Sequence, residues 1–108
     1  MATPILLFGP VTADATAETV YTNITGTVAT LESFTMAQPS TGVATVIRLS
    51  MGVDGATTRV IEFQVPAGLG TYTLYPMLKI TGTTVLQLSS VSADDVVVCT
   101  GSGRRESA

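Results

Sequence analysis

Residues 43–65 read VATVIRLSMGVDGATTRVIEFQV, two runs of alternating apolar and polar residues on either side of a glycine-containing segment. In the first half of this stretch, Ile47, Leu49 and Met51 alternate with the polar Arg48 and Ser50. The second half repeats the alternation, with apolar side chains at positions 61, 63 and 65. Strict alternation is typical of a strand with one face on a core, and the Gly-Val-Asp-Gly segment between the halves favours a turn. The stretch therefore predicts two strands of a sheet.

The same two signals, alternation and turn residues, recur along the rest of the chain. Gly, Pro, Ser and Asp clusters separate apolar runs at intervals of roughly 8–12 residues, which is the spacing of a sandwich or barrel. We predict an all-β fold, an antiparallel β-sandwich of about eight strands with a jelly-roll or immunoglobulin-like arrangement. The predicted strands are Pro4–Phe8, Glu18–Thr22, Thr27–Met36, Val43–Met51, Arg59–Val65, Thr71–Tyr75, Thr83–Ser89 and Asp95–Thr100.

One predicted strand, Thr27–Met36, departs from simple alternation. Val28 and Leu31 fall on opposite faces of a regular pleat, although both are apolar. A β-bulge, which inserts one extra residue into a strand, would bring them onto the same face. We therefore predict a bulge in this strand.

The length of 108 residues is that of one domain with a single core. We expect residues 1–108 to form one domain, with a possible N-terminal arm in residues 1–16. Residues 102–108 have the composition of a polar C-terminal tail, in which Arg104-Arg105 would be solvated or paired with a neighbour.

Charge is sparse in this chain. Charged residues make up 12% of the sequence, and the net charge is −3. A surface built from Thr, Ser, Ala and Gly costs little to desolvate, which favours packing in an oligomer; poor solubility alone is the other interpretation. The five cations are scattered and form no basic stripe, so we expect no nucleic-acid partner.

No secretory signal or membrane span is expected. The apolar run Ile5-Leu6-Leu7-Phe8 is too short for a signal peptide and follows no basic segment. No stretch approaches the ~20 apolar residues that cross a bilayer. The Asn23-Ile24-Thr25 match to the N-glycosylation pattern is then expected to be chance.

The residue types that do most enzyme chemistry are scarce. The sequence has no histidine, no tryptophan and one cysteine, Cys99, which lies in an apolar run and is expected to be a core residue. Nucleophilic catalysis needs a neighbouring base, and transition-metal sites need imidazoles or several thiolates. The adjacent pair Asp94-Asp95 could contribute to a Ca²⁺ site, but a turn is the more ordinary role for it. We expect no enzyme activity, no cofactor and no metal.

Two segments are candidate contact sites. Pro4, Ile5, Leu6, Leu7 and Phe8 form the most hydrophobic stretch, which is either an edge strand completing the core or an arm that adds a strand to a neighbouring subunit. Tyr75 is predicted to point outward next to Pro76, where it could stack on a sugar ring, pack under a loop or contact another subunit.

Residues 65–74 read VPAGLGTYTL, residues 78–88 read LKITGTTVLQL, and residues 96–98 form a Val-rich segment. These segments resemble small virion proteins of tailed bacteriophages. Residues 20–26, VYTNITG, are similar to the opening of those proteins, and the similarity covers about residues 20–101.

This resemblance implies a structural role without catalysis. The implied function is capsid decoration, or an accessory function of the head or tail, with the major capsid protein or another virion protein as partner. Decoration proteins of this kind often form trimers, so a homo-oligomer is expected. The implied location is the virion, at the capsid surface more than the tail, after a stay in the host cytoplasm during assembly. The alternative is a tail-associated module that recognises a host glycan or receptor.

Overall fold

A computed structural model describes residues 3–53, 55–91 and 97–107, and most of these residues lie in strands. Nine strands run through the described ranges, each antiparallel to its partners. They are β1 (Thr3–Thr12), β2 (Glu18–Thr22), β3 (Thr27–Gln38), β4 (Thr45–Val53), β5 (Ala56–Val65), β6 (Gly70–Leu74), β7 (Leu78–Ile80), β8 (Val85–Ser90) and β9 (Val98–Ser107).

The strands form two stacked sheets with a jelly-roll connection. Sheet A has the order β1-β9-β3-β6, and β7 also pairs with β3; sheet B has the order β2-β8-β4-β5. The pairs are nested, because β4 pairs with β5, β3 with β6 and β7, β2 with β8, and β1 with β9. A long antiparallel ribbon rolled up on itself has this pairing, which is the jelly-roll arrangement. The predicted β-sandwich is confirmed, and of its two predicted forms the pairing is that of the jelly roll.

The alternating faces predicted from the sequence meet in the core between the sheets. Ile47 and Leu49 on β4 are fully buried, and Leu86 and Leu88 on β8 are as well. Sheet A contributes the opposing layer. Cys99 is fully buried there, as the sequence predicts. The largest fully buried side chains are Phe34, Leu31, Met36, Ile47, Leu49, Ile80, Leu86, Leu88, Val65, Val97 and Cys99.

The bulge predicted in β3 is present at Glu32. Leu31 pairs with Gly103 and Ser33 pairs with Ser102, so Glu32 is the additional residue. The bulge brings Leu31 and Phe34 onto the inner face, and both are fully buried. Val28 is only partly buried and stays on the other face, so the prediction that the bulge would align Val28 with Leu31 is wrong.

The expected C-terminal tail is instead a strand at the centre of sheet A. Residues 102–107 are the second half of β9, which pairs with β1 on one side and β3 on the other. Arg104 is ion-paired with Glu32 of the same chain, with Nε and Oε2 3.4 Å apart. The polar, glycine-rich composition of this segment indicates a tail, but Gly101 and Gly103 are glycines because no side chain fits at these positions. A Cβ at Gly103 would overlap the carbonyl oxygen of Thr30.

Two further boundaries differ from the predictions. Leu78–Ile80 was not predicted as a strand, but it forms β7 on the same side of β3 as β6. A kink at residues 75–77 separates the two short strands, because Pro76 offers no backbone N–H to the ladder. The strand predicted at Asp95–Thr100 begins at Val98 in the structure, while residues 92–96 lie outside the described ranges.

Candidate interaction surfaces

The cysteine thiol is a core group and not a reactive one. Cys99 is fully buried, and desolvation by burial raises the pKa of its thiol from 9.0 to about 12. Thiolates are the nucleophilic and metal-binding form of cysteine, and this environment disfavours them strongly. Cys99 therefore packs as a small apolar side chain.

Asn23, the residue in the N-glycosylation pattern, is also buried. Its Nδ2 donates hydrogen bonds to the carbonyl oxygens of Thr27 and Gly82, both at 2.9 Å, and the Tyr21 hydroxyl donates to its Oδ1 at 3.2 Å. Only 4% of the residue is exposed. The amide thus fastens the turn after β2 to the turn before β8, and the folded chain does not present it for modification.

The acidic residues do not gather into a metal site in the described parts of the chain. No group of three or more His, Cys, Asp or Glu side chains that could hold a metal lies within residues 3–53, 55–91 and 97–107. The pair Asp94-Asp95, considered for Ca²⁺ from the sequence, lies outside the described residues. The same described ranges contain no helix long and apolar enough to cross a membrane.

The hydrophobic N-terminal segment lies in β1, at one edge of sheet A. Leu7 and Phe8 are buried, Ile5 packs against the core in a partly buried position, and Pro4 is exposed. The Phe8 and Phe34 ring centroids are 6.0 Å apart. In this structure β1 pairs with β9 of its own chain. Leu6 points away from the core with 59% exposure.

Tyr75 lies at the kink between β6 and β7 and is 74% exposed. Met77, two residues later, is also exposed and has a φ of +50°, in the left-handed region that non-glycine residues rarely adopt. Such strain persists where the surrounding structure enforces it, and it is often found at contact sites. The kink therefore presents two large apolar side chains at the edge of sheet A.

Beyond the bulge at Glu32, the outer face of sheet A has an uncharged part that the sequence did not reveal. The Ser33 and Ser102 hydroxyls are hydrogen-bonded at 2.6 Å, and the Thr35 and Thr73 hydroxyls at 3.0 Å. The register places small side chains beside one another across β9, β3 and β6. We call this surface the hydroxyl face; its residues are Ser33, Thr35, Ala37, Thr71, Thr73, Thr100 and Ser102.

The outer face of sheet B has a different character. The Arg48 Nε and Arg59 Nη1 atoms both contact Oε1 of Glu62, at 2.9 and 2.8 Å. Beside them, Thr57 donates a hydrogen bond to Gln87, and Gln87 donates one to Thr19 of β2. Polar side chains thus link all four strands of this sheet, and two guanidinium groups share one carboxylate.

A pocket of about 490 Å³ lies at the end of sheet B where β4 begins and β5 ends. Among the described residues that line it, none is aromatic and none is titratable, so these residues offer neither a stacking surface for a sugar nor a group for acid–base chemistry. The lining residues are Ala44, Thr45, Val46, Gln64, Val65, Pro66 and Val91.

Of the predicted site residues, the structure places Leu6 and Tyr75 on the surface but on opposite edges of sheet A. Leu6 is on β1, and Tyr75 follows β6. They do not form a common site. The hydroxyl face was missed because half of β9 has the composition of a tail; the alternating hydroxyls of residues 33 and 35 were the available signal.

Comparison with known proteins reveals a shared fold and no family. No protein-family model matches the chain, and no curated protein matches its sequence. Among solved structures, the chain is similar to the core of Drosophila NLP, described in a study of pentamer formation and histone binding. The TM-score is 0.54 at 11% identity, covering 97% of both chains. At this identity the match shows the fold alone.

Two further matches are chains from structures of infectious bursal disease virus. The Gx strain gives a TM-score of 0.42 at 13% identity, and the Gt strain gives 0.37 at 12%. Each match covers 97% of this chain but only 31% and 29% of the viral chains. The structural neighbours therefore include proteins of a virus particle and a histone-binding protein.

Proposed function

We propose that this chain is a non-catalytic structural subunit of a virus particle, and that it works as a homo-oligomer bound to the particle's shell. In its finer form, the proposal is capsid decoration of a tailed bacteriophage. The major capsid protein would then be the partner. The observation that carries this proposal is the hydroxyl face.

The hydroxyl face has the properties of a surface that packs against another protein. Its seven side chains are small and uncharged, and part of their hydrogen-bonding capacity is already satisfied within the face. Desolvating such a surface costs less than desolvating ion pairs. Side chains on a strand stand roughly perpendicular to the sheet, so small residues on neighbouring strands give an even surface for close contact.

The size of the hydroxyl face explains why an oligomer is needed. Three strands spaced ~4.8 Å apart, with three outward residues along a strand, cover on the order of 200 Å². A stable interface buries about 800 Å² on each partner. One copy would therefore bind weakly, whereas several linked copies gain avidity from their combined contacts. The fold neighbour from Drosophila is described as a pentamer, which supports an oligomer without deciding its order.

The mechanism of stabilisation is mass action. A subunit that binds the assembled shell but not its separate parts lowers the free energy of the assembled state by RT ln(1 + [L]/Kd). No bond is made or broken. The proposed absence of catalysis is consistent with the buried thiol of Cys99 and with the exposed positions of Asp14, Glu18 and Glu62.

The glycan-recognition alternative receives less support from the geometry. Tyr75 is exposed, but the nearest aromatic pair, Phe63 and Tyr72, is stacked face to face with centroids 5.0 Å apart. No aromatic side chain is among the described residues that line the pocket on sheet B. A sugar would therefore stack on Tyr75 and the exposed part of Tyr72, without the enclosing polar groups that give such sites their specificity.

The proposal is tested with purified particles that lack the chain. Added protein should co-sediment with them and raise their thermal disruption temperature. A Thr100→Lys variant, which puts a charge in the middle of the hydroxyl face, should bind at least tenfold more weakly. The matched control is Thr83→Lys, in an exposed turn. Absence of wild-type binding, or equal binding by the Thr100 and Thr83 variants, contradicts the proposal.

A further inference from the structure

The two edges of the sandwich carry opposite charge. On β5, β6 and β7, the described charged residues are Arg59 and Lys79 against Glu62, an excess of one positive charge. On the opposite side, β1 (Thr3–Thr12) contains no charged residue. The residues that follow it add two exposed acids, Asp14 and Glu18. Asp54, between β4 and β5, lies outside the described residues and is not counted.

The opposite charges lie at nearly the same height along the strands. Thr19 pairs with Gln87, Gln87 with Ser50, and Ser50 with Arg59. This cross-strand row runs from one edge of sheet B to the other. Glu18, next to Thr19, is therefore one residue from the level of Arg59.

Neither edge of sheet B is suited to continuous backbone pairing with another chain. The register of β2 shifts at Val20, and that of β5 shifts at Val60. Bulges of this kind interrupt the ladder and prevent uncontrolled edge-to-edge association. A contact at these edges must therefore be made by side chains, which also confers specificity.

From this arrangement we propose that copies of the chain assemble head to tail in a closed ring, the β1–β2 edge of one copy meeting the β5–β6 edge of the next. The proposal rests on the proposed function in that both require a homo-oligomer. Rotation about an axis parallel to the strands keeps every residue at its own height, so Glu18 of one copy comes within one residue of the level of Arg59 of its neighbour. A two-fold contact would instead bring like edges, and like charges, together.

The apolar residues of these edges supply the rest of the contact. Val60, Tyr72, Tyr75 and Met77 are exposed on the positive edge, and Leu6 is exposed on the negative one. The molecule is 17 Å in its thinnest dimension, and a ten-residue edge strand extends about 33 Å, which gives an edge of roughly 560 Å² before side-chain relief is counted. This approaches the ~800 Å² per partner of a specific interface.

Variants with one introduced cysteine each, Glu18→Cys and Arg59→Cys, test the orientation of the contact directly. Residues 18 and 59 lie on opposite edges of sheet B, three strand spacings apart. Cysteines at these two positions are therefore too far apart for a disulfide within one chain, and a disulfide between them must join two chains. In a head-to-tail ring, each variant alone gives no disulfide dimer under mild oxidation, whereas their mixture does. Glu18→Cys mixed with Thr83→Cys, at an exposed turn, should give none. Wild-type protein controls for Cys99, which is buried.

Charge exchange provides a second, independent readout. Glu18→Lys and Arg59→Glu should each raise the dissociation constant of the oligomer about tenfold at low salt. The double variant should return to within threefold of wild type, because each contact again joins opposite charges. Three results would overturn the ring. Either cysteine variant could form disulfide dimers on its own, or the double charge variant could associate no more tightly than the single variants. The third is a wild-type protein that remains a monomer at its highest soluble concentration.

Failure of the ring and failure of the proposed function are distinguishable, since the ring is measured on purified protein by native mass spectrometry and sedimentation. Particle binding by a wild-type oligomer that fails the cross-linking and charge-exchange tests overturns the ring only. A ring that does not bind particles supports this inference and overturns the proposed function.

Discussion

The rings of Phe63 and Tyr72 stack across one open side of the sandwich, with centroids 5.0 Å apart and planes 16° from parallel. Phe63 belongs to β5, the last strand of sheet B, and Tyr72 to β6, at the end of sheet A. The stack therefore joins the two sheets where no further strand covers the core. It also gives the β5–β6 edge a rigid apolar centre.

This pairing predicts a measurable coupling energy. Removing either ring by Phe63→Ala or Tyr72→Ala should destabilise the fold, and a double-mutant cycle should give a coupling of about 0.5–1.5 kcal/mol. Urea unfolding of the four proteins measures it. Thr83→Ala, in an exposed turn, serves as the control and should change stability by less than about 0.5 kcal/mol. Additive effects of the two ring deletions would show that the stack contributes nothing of its own.

The glycines of β9 predict a second set of effects. A Cβ at Gly101 would overlap the Phe8 ring and crowd Leu31, so Gly101→Ala should lower the free energy of unfolding by about 1–3 kcal/mol. Adding Phe8→Leu should recover part of the loss, because it removes the ring from that space.

Gly103→Ala should be more damaging and should not be rescued in this way, since the obstacle there is the backbone carbonyl of Thr30. Chemical denaturation compares the variants, with Thr100→Ala on the outer face as a control. An equal tolerance of alanine at positions 101 and 103 would contradict the packing described for β9.

Burial of Cys99 predicts a pH dependence of stability. The pKa of its thiol is raised to about 12 in the folded chain, above the value of 9.0 expected on unfolding. The unfolded state therefore loses its proton first, and the stabilisation present below pH 9 is lost as pH rises towards 12. The slope is at most about 1.4 kcal/mol per pH unit.

The difference in unfolding free energy between wild type and Cys99→Ala isolates this effect from other titrating groups. It should shrink from pH 8.5 to pH 10.5 as wild type loses stability. A difference that stays constant over that range would place the thiol in contact with solvent. Thiol reagents should correspondingly react with Cys99 only at the rate at which the protein opens.

The left-handed conformation of Met77 predicts an order of stability for its variants. Asparagine tolerates this region better than methionine, and a β-branched residue tolerates it less well. Met77→Asn should raise the free energy of unfolding by about 0.5 kcal/mol and Met77→Ile should lower it by about 1 kcal/mol. Thermal unfolding of the three proteins checks the order. A more stable isoleucine variant would contradict the conformation seen at the kink.

Much of the fold was predictable because, in β4, β5 and β8, the alternation of apolar and polar residues in the sequence agrees with the burial of the side chains. Ile47 and Leu49 alternate with polar residues in the sequence and are fully buried in the structure. The second half of β9 was not predictable in this way. Its glycines are required by Phe8 and Thr30, which are distant in sequence, so local composition indicated a tail.

The candidate surfaces were harder to predict than the fold. The hydroxyl face depends on Ser33 meeting Ser102 and Thr35 meeting Thr73, and these pairings exist only after strand register is established. The charged edges likewise depend on strand order. Tyr75 was predicted to point outward, and it does so, because the kink that exposes it contains a proline that local sequence reveals.

Cryo-electron microscopy of intact particles, reconstructed without imposed local symmetry, would show whether the chain binds the shell. We expect density for a two-sheet sandwich at many equivalent positions on the shell, with the outer face of sheet A towards the shell protein and neighbouring copies joined edge to edge. Particles that lack this density, prepared from cells in which the chain is abundant and folded, would contradict this expectation.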